Sequence, residues 1–176
     1  MVPQLQVQEA YSFYRAYVLE YSRNKATVYE QYGFSLQGSI GSKDWEVFAA
    51  ILLNDRARKG DGADLEHYEV KSATTGSSFE YQYHRNHGLD KLTGDRDVDH
   101  IFVARSKNYV DVEVWLIERT KMIPVFDRWL PELLQNYETV GRQRFRRSVT
   151  YGFVKSQGTL LLKISFGELS YSLETT

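Results

Sequence analysis

The sequence predicts a mixed α/β fold in which helices flank a central sheet. Apolar residues recur at helical spacing in the first third of the chain, and runs typical of strands dominate later. This mixture of helical and strand patterns is characteristic of layered α/β architectures. A chain of 176 residues without an internal repeat or linker fits one domain, so we expect residues 1–176 to fold as a single unit.

The N-terminal third predicts two helices. The first covers about Gln8 to Gln31, because aromatic and apolar residues recur there every three or four positions. A polar, glycine-rich connection, 33–41, separates it from a second helix that begins near Ser42, a good N-cap residue, and ends before 56–60. The apolar side of the second helix consists of Trp45, Phe48, Ala49 and Leu52.

The rest of the chain predicts strands around one more helix. Three strands are expected at 69–73, at 99–105, which is largely apolar, and at 110–118, which alternates. Pro124 can open a helix over 125–137 that Pro131 kinks or divides. Two terminal strands, 149–154 and 160–166, complete the prediction.

Composition narrows the class of protein. The chain is 42% hydrophobic and 26% charged, as in ordinary globular proteins, and no apolar run is long enough to span a bilayer. We expect no signal peptide, because the first residues lack a basic region and an apolar region. The chain has no cysteine, which excludes disulfides and thiolate zinc sites and agrees with a cytoplasmic location.

The segment 60–73, GDGADLEHYEVKSA, carries the most chemical information. On a strand, Glu69 and Lys71 point to the same face and Val70 to the other. A carboxylate beside an ammonium group, with a second carboxylate from the preceding turn, can hold a hard divalent cation. It also places a charged amine beside the metal-bound water that attacks a phosphodiester.

The second carboxylate is Asp64 or Asp61. An extended chain would separate Asp64 from Glu69 by ~16 Å, so the backbone must reverse over 65–68 if Asp64 is the ligand. If Asp61 is the ligand, the loop is longer and the adjacent Gly62 makes the bend easier.

An Asp followed closely by Glu-x-Lys on a strand resembles the PD-(D/E)xK nucleases, and among them the type II restriction endonucleases. The resemblance covers 45–71 and implies a restriction-endonuclease-like fold with Asp64, Glu69 and Lys71 as the catalytic residues. The sequence Ala-Asp-Leu around Asp64 favours that residue, with Asp61 in reserve. The chain departs from the pattern because no proline precedes either aspartate and the gap to Glu69 is short.

The resemblance also implies a cofactor. Oxygen ligands from Asp64, Glu69 or Asp61 suit Mg²⁺, and Lys71 would orient the nucleophile or stabilise the phosphate under attack. Glu46, near the start of the second helix, is either an accessory acid or an exposed residue that favours the helix dipole. The histidines lack the spacing of a zinc site, so base contact, phosphate contact or plain exposure is expected of them.

Two segments have side chains suited to DNA. The first follows the candidate catalytic strand and offers groups that contact base edges, namely Gln82, His84, Arg85, Asn86 and His87. The second lies in a window that contains no acid between Glu138 and Glu168, and it offers Arg142, Arg144, Arg146, Arg147 and Lys155.

Together these features predict a type II restriction endonuclease that hydrolyses double-stranded DNA at a specific, palindromic sequence. One site per chain implies a homodimer, and the face of Tyr11, Tyr14, Val18 and Tyr21 either forms the dimer surface or packs on its own domain. The alternatives are a nicking or repair endonuclease, a Holliday-junction resolvase of the same fold, a non-catalytic DNA-binding module and a protein-interaction domain.

Overall fold

A computed structural model describes residues 3–60, 62–139 and 141–174. It confirms a mixed α/β architecture with a mostly antiparallel central sheet flanked by helices. The helices are α1 (Val7–Phe13), a π-helical stretch (Tyr14–Glu20), α2 (Tyr21–Gln31), α3 (Ser42–Leu53), α4 (Gly88–Arg96), α5 (Arg119–Glu138) and α6 (Tyr151–Gln157). The strands are β1 (Tyr68–Thr74), β2 (Phe79–His84), β3 (Asp99–Arg105), β4 (Val112–Ile117), β5 (Arg144–Val149), β6 (Thr159–Ser165) and β7 (Glu168–Ser172).

The central sheet has five strands in the order β1-β3-β4-β6-β7. Strands β1 and β3 are parallel, because β2 and α4 carry the chain back between them, and the remaining pairs are antiparallel. Strands β2 and β5 form a separate antiparallel pair. Strand β1 is therefore an edge strand of the central sheet.

Each face of the central sheet packs against its own hydrophobic cluster. One cluster joins the N-terminal helices and α3 to the sheet through residues such as Tyr14, Trp45 and Val70. The other joins α5 and the β2–β5 pair to the opposite face through residues such as Tyr81 and Phe126. The odd-numbered residues of β1, Glu69 and Lys71, point toward the second cluster, whereas Val70 points into the first.

The N-terminal helical segment runs from Val7 to Gln31, close to the predicted bounds, with π-helical geometry in its middle. Tyr14 and Val18 are fully buried, and the Tyr14 hydroxyl donates to the Tyr109 carbonyl at 2.7 Å. This part of the tyrosine face packs on the protein's own core, whereas Tyr21 is exposed. In the described part of the chain, no helix has the length and apolarity needed to cross a membrane.

One predicted strand is wrong, and one predicted helix is correct but begins earlier than predicted. The segment 149–154 is not a strand: β5 ends at Val149, and the Thr150 hydroxyl accepts a hydrogen bond from the Phe153 amide at 3.1 Å to cap α6. Helix α5 begins at Arg119, before the predicted start, and Pro131 does not divide it. The sequence also left β2, α4, β5 and β7 unassigned.

Candidate active site

The backbone reverses between Asp64 and Glu69, as the sequence requires. The Leu65 amide donates to the Tyr68 carbonyl at 2.9 Å and closes the turn. The Asp64 amide donates to Glu69 Oε2 at 3.0 Å, and the Val70 amide donates to Asp64 Oδ2 at 3.1 Å. These reciprocal hydrogen bonds hold the two acidic residues side by side at the start of β1.

Lys71 lies beside both acids. Its Nζ bonds Glu69 Oε1, lies 3.9 Å from Asp64 Oδ2 and lies 5.0 Å from the centre of the Tyr81 ring. The Glu69 side chain is 0% exposed, whereas those of Asp64 and Lys71 are 24% and 17% exposed. Solvent and ligands therefore reach this cluster on the side of Asp64 and Lys71.

A second lysine, Lys91 on α4, completes the surroundings of Glu69. Its Nζ lies 3.1 Å from Glu69 Oε1, from Asp95 Oδ1 and from the Gly62 carbonyl oxygen. Sequence reasoning missed Lys91 and Asp95. The signal that could have found them is their i, i+4 spacing, which places an ion pair on one side of a helix.

A buried polar layer lies behind the lysines. The Tyr83 hydroxyl donates to Asp95 Oδ2 at 3.0 Å. The His100 Nε2 lies 2.8 Å from the Asp95 carbonyl oxygen, and its Nδ1 lies 2.8 Å from the Tyr81 hydroxyl. Since a carbonyl can only accept, Nε2 carries the proton and Nδ1 accepts from Tyr81. This layer fixes Asp95 and, through it, Lys91.

The electrostatics follow from three carboxyl groups facing two ammonium groups. Burial raises the pKa of the Glu69 carboxyl, but Lys71 and Lys91 outweigh it and leave the pKa below its usual value. Burial and the neighbouring Glu69 raise the pKa of Asp64, and they raise the pKa of Asp95 to about 7. Burial lowers the pKa of Lys91, but Glu69 and Asp95 outweigh it and raise it. The carboxyl groups thus repel one another, and added positive charge would relieve that repulsion.

Glu46 belongs to the edge of this cluster. Its side chain is only 15% exposed and pairs with Lys43. Its negative charge contributes to the raised pKa of Asp64. The expectation of an exposed first-turn glutamate is therefore wrong, because α3 presents Glu46 toward Asp64 rather than toward bulk solvent.

Asp61 lies outside the described residues. Among the described residues, one set of three metal-ligating residue types has its ligand atoms within 4.8 Å of one another: Asp55, Glu66 and His67. Asp55 Oδ1 accepts from the Arg56 amide at 2.8 Å and Oδ2 accepts from the His67 amide at 3.1 Å. Because both carboxylate oxygens of Asp55 already accept backbone hydrogen bonds, we interpret this set as one that stabilises the turn and not as a metal site.

Strand pairing brings the two predicted DNA-binding segments together. Gln82 lies opposite Arg146 and His84 lies opposite Arg144, and all four side chains are exposed. The Arg85 amide donates to the Gln143 carbonyl at 2.8 Å and extends the pairing beyond His84.

The other predicted DNA-binding residues lie off this face. Arg147 points to the opposite side and bonds Glu132 at 2.5 Å, and Lys155 lies on α6 with its Nζ 5.5 Å from the Tyr151 ring centre. Asn86 and His87 are exposed in the turn before α4. Arg142 is exposed and donates to Asn136 Oδ1 at 3.2 Å.

Comparison with known proteins gives no assignment for this arrangement. No protein-family model matches the chain, and no curated protein matches its sequence significantly.

Proposed function

We propose that the protein is a metal-dependent endodeoxyribonuclease of the type II restriction class, acting on double-stranded DNA. The observation that carries the proposal is the convergence of Asp64, Glu69 and Lys71 at one partly open position on edge strand β1. The PD-(D/E)xK pattern requires an acid before a strand, followed by an acid and a lysine on one face of that strand.

The topology supports the finer proposal of a restriction-endonuclease-like fold. Strand β1, which bears Glu69 and Lys71, is parallel to β3. Helix α3 precedes β1 in the chain, and both contribute to the same hydrophobic cluster. Helix α4, between β1 and β3, supplies Lys91 to the same cluster of charges.

The donor set fits a hard divalent cation such as Mg²⁺. Asp64 and Glu69 offer carboxylate oxygens, the ligand type that Mg²⁺ prefers, and the mutual repulsion of the carboxyl groups favours added positive charge. Asp64 and Glu69 would hold the ion, and Asp61 stays a candidate ligand. When bound, Mg²⁺ supplies Lewis acidity and a water of lowered pKa.

The lysines have different parts in this proposal. Lys71, at the partly exposed side of the cluster, places its ammonium group where it neutralises charge on an attacked phosphate or orients the nucleophile. Lys91 is bonded on three sides, so it positions Glu69 and the Gly62 carbonyl and stays away from the substrate.

Cleavage of both strands requires two such sites, so we propose that two copies act together on a palindromic target. Conversion of supercoiled plasmid to linear product with little nicked intermediate supports paired action. Accumulation of the nicked circle indicates a nicking or repair enzyme instead.

The decisive experiment compares variants of three neighbouring acids, of which Glu66 is the control. Plasmid is incubated with Mg²⁺ and the wild-type protein, Glu69→Gln, Asp64→Asn or Glu66→Gln, and again with EDTA. We expect discrete fragments from the wild type and from Glu66→Gln, and none from the other two variants or in EDTA. Circular dichroism checks folding, and Asp64→Asn keeps the test valid if the buried Glu69→Gln variant does not fold.

One observation favours a non-catalytic DNA-binding module as the second candidate. Both Glu69 oxygens already accept hydrogen bonds, from the Asp64 amide and from the two lysines, as in a purely structural ion-pair network. Binding of DNA with no cleavage in Mg²⁺ or Mn²⁺ would establish this candidate and end the nuclease proposal.

A further inference from the structure

We propose that the exposed face of the β2–β5 pair, called the ribbon below, enters the major groove of duplex DNA and reads base pairs through Gln82 and Arg146. The inference rests on the proposed function in taking duplex DNA as the ligand. It adds the surface, the groove and the two residues that set sequence preference.

The register of the ribbon places these side chains as one row of cross-strand pairs. Gln82 lies opposite Arg146, and the pair His84 and Arg144 lies next to it on the same face, because alternate residues of a strand share a face. Paired side chains have Cβ atoms about 5 Å apart. A two-stranded ribbon fits the major groove of B-DNA, which is about 12 Å wide.

The back of the ribbon makes it a rigid platform. Tyr81, Tyr83 and Phe145, the residues between the exposed ones, are 0–2% exposed in the second hydrophobic cluster. Their burial fixes the backbone of both strands, so the exposed side chains start from defined positions. Defined starting positions lower the entropic cost of binding.

The two ends of the ribbon differ in charge. One end carries exposed arginines, and the other end carries Glu80 opposite Ser148. The buried side of the ribbon faces the candidate active site, because the Tyr81 ring lies 5.0 Å from Lys71 Nζ and Tyr83 bonds Asp95. The arginines at the basic end are Arg85, Arg142 and Arg144.

The side-chain chemistry assigns base contacts to the middle of the ribbon. The Gln82 amide can bond adenine in bidentate fashion, and the Arg146 guanidinium can bond guanine at O6 and N7. Arg147 provides a matched comparison, since it is the next residue in the strand but bonds Glu132 on the opposite side. An acidic protein surface is the competing ligand for the basic end.

The test uses a pool of short duplexes with a randomised centre, in EDTA and again with Ca²⁺. The bound fraction is sequenced for the wild type, Gln82→Ala, Arg146→Gln, Arg146→Lys and Arg147→Gln. We expect the wild type to enrich one sequence, and Arg146→Gln to bind it about 10- to 100-fold more weakly with relaxed preference at one position. Arg146→Lys should keep the salt dependence and lose that preference, and Arg147→Gln should stay within about threefold of the wild type.

The outcomes separate this inference from the proposed function. Equal losses in Arg146→Gln and Arg147→Gln, or no enrichment by the wild type, would overturn the ribbon assignment even if the protein cleaves plasmid in Mg²⁺. Enrichment that depends on Arg146, without cleavage of plasmid by the wild type, would support base reading by the ribbon and reject the proposed nuclease activity.

Discussion

Glu69 is the residue on which the charges of the candidate site converge. A fully buried carboxylate costs several kcal/mol of desolvation unless it is paired. Here the Asp64 amide donates to it, and Lys71 and Lys91 keep its pKa below the usual value despite burial. The Glu69 carboxylate is therefore held ionised by its neighbours before any ligand arrives.

Lys91→Met should reduce stability. The change leaves Glu69 with one ammonium partner and Asp95 with none from α4, so we expect a loss of about 2–4 kcal/mol in the free energy of unfolding. Lys43→Met is the control, because Lys43 pairs with Glu46 at an 81% exposed position and should change stability by less than about 1 kcal/mol. Urea denaturation measures both variants. Equal effects would show that Lys91 does not support the buried carboxyl groups.

Lys91→Met should also weaken cation binding at Asp64 and Glu69, because Lys91 fixes the position of Glu69. Lys91→Arg, which retains a positive charge, should recover part of the affinity for Mn²⁺. Titration followed by electron paramagnetic resonance measures the affinity. A Lys91→Met variant that folds and binds Mn²⁺ as the wild type does would assign Lys91 a purely structural part.

Local sequence patterns predicted the positions of some of these site residues but not of others. Alternation along one strand is enough to place Glu69 and Lys71 together, and the length of the chain between Asp64 and Glu69 is enough to require a turn. Lys91 comes from another element, so its approach depends on tertiary packing. Glu46 was considered from its helix, but only the packing of α3 turns it toward Asp64.

At the scale of elements, two glycines at opposite ends of α6 have opposite surroundings. Gly152 lies on α6, and a Cβ added there would meet nothing within 4 Å. Gly158 lies between α6 and β6, and a Cβ added there would lie 2.6 Å from the Val154 carbonyl oxygen. The close approach lets the chain leave the helix and enter the sheet at once.

Gly158→Ala should therefore destabilise the protein by about 1–3 kcal/mol, since the backbone must shift to accept the methyl group. Gly152→Ala should stabilise it by about 0.5–1 kcal/mol, because alanine loses less conformational entropy in a helix. Thermal and urea denaturation of both variants check the signs. The same sign for both would contradict the contacts assigned to α6.

The pairing of the two ribbon strands could not be predicted from the sequence. The sequence identified Gln82, His84, Arg144 and Arg146 as DNA-binding types, but it did not pair them, because β2 and β5 lie far apart in the chain and their partners are chosen by long-range packing. The aromatic and β-branched residues of 149–154 predicted a strand, yet the capping hydroxyl of Thr150 starts a helix there. A local cap outweighed a weak strand propensity.

At the scale of the whole molecule, the central sheet divides the protein into two packed layers with different contents. The layer of α3 and the N-terminal helices is almost entirely apolar. The other layer contains buried His100, Asp95 and Glu69 as well as aromatic residues. The sequence predicted the mixed sheet and most of its strands, but the strand order depends on how crossovers pack, which local patterns do not encode.

The buried His100 gives the free energy of unfolding a dependence on pH that can be isolated. Burial lowers its pKa from 6.5 to about 4. Between these values the unfolded chain takes up a proton that the folded protein excludes, so this contribution to stability is complete above about pH 6.5 and is lost as the pH falls toward about 4. The full loss is roughly 3 kcal/mol. Asp95 acts in the opposite sense, because its raised pKa favours the folded state in acid.

Comparison with His100→Gln removes the contribution of Asp95 and the other acids from the result. Glutamine can donate to the Asp95 carbonyl and accept from the Tyr81 hydroxyl, so it retains both contacts of the imidazole without titrating. Urea denaturation at several values between about pH 7 and about pH 4 gives the stability of both proteins. We expect the wild type to lose up to roughly 3 kcal/mol relative to His100→Gln over this range. Parallel pH profiles would mean that His100 already titrates in the folded protein as it does in the unfolded chain, and the buried layer behind Lys91 would then have to be open to water.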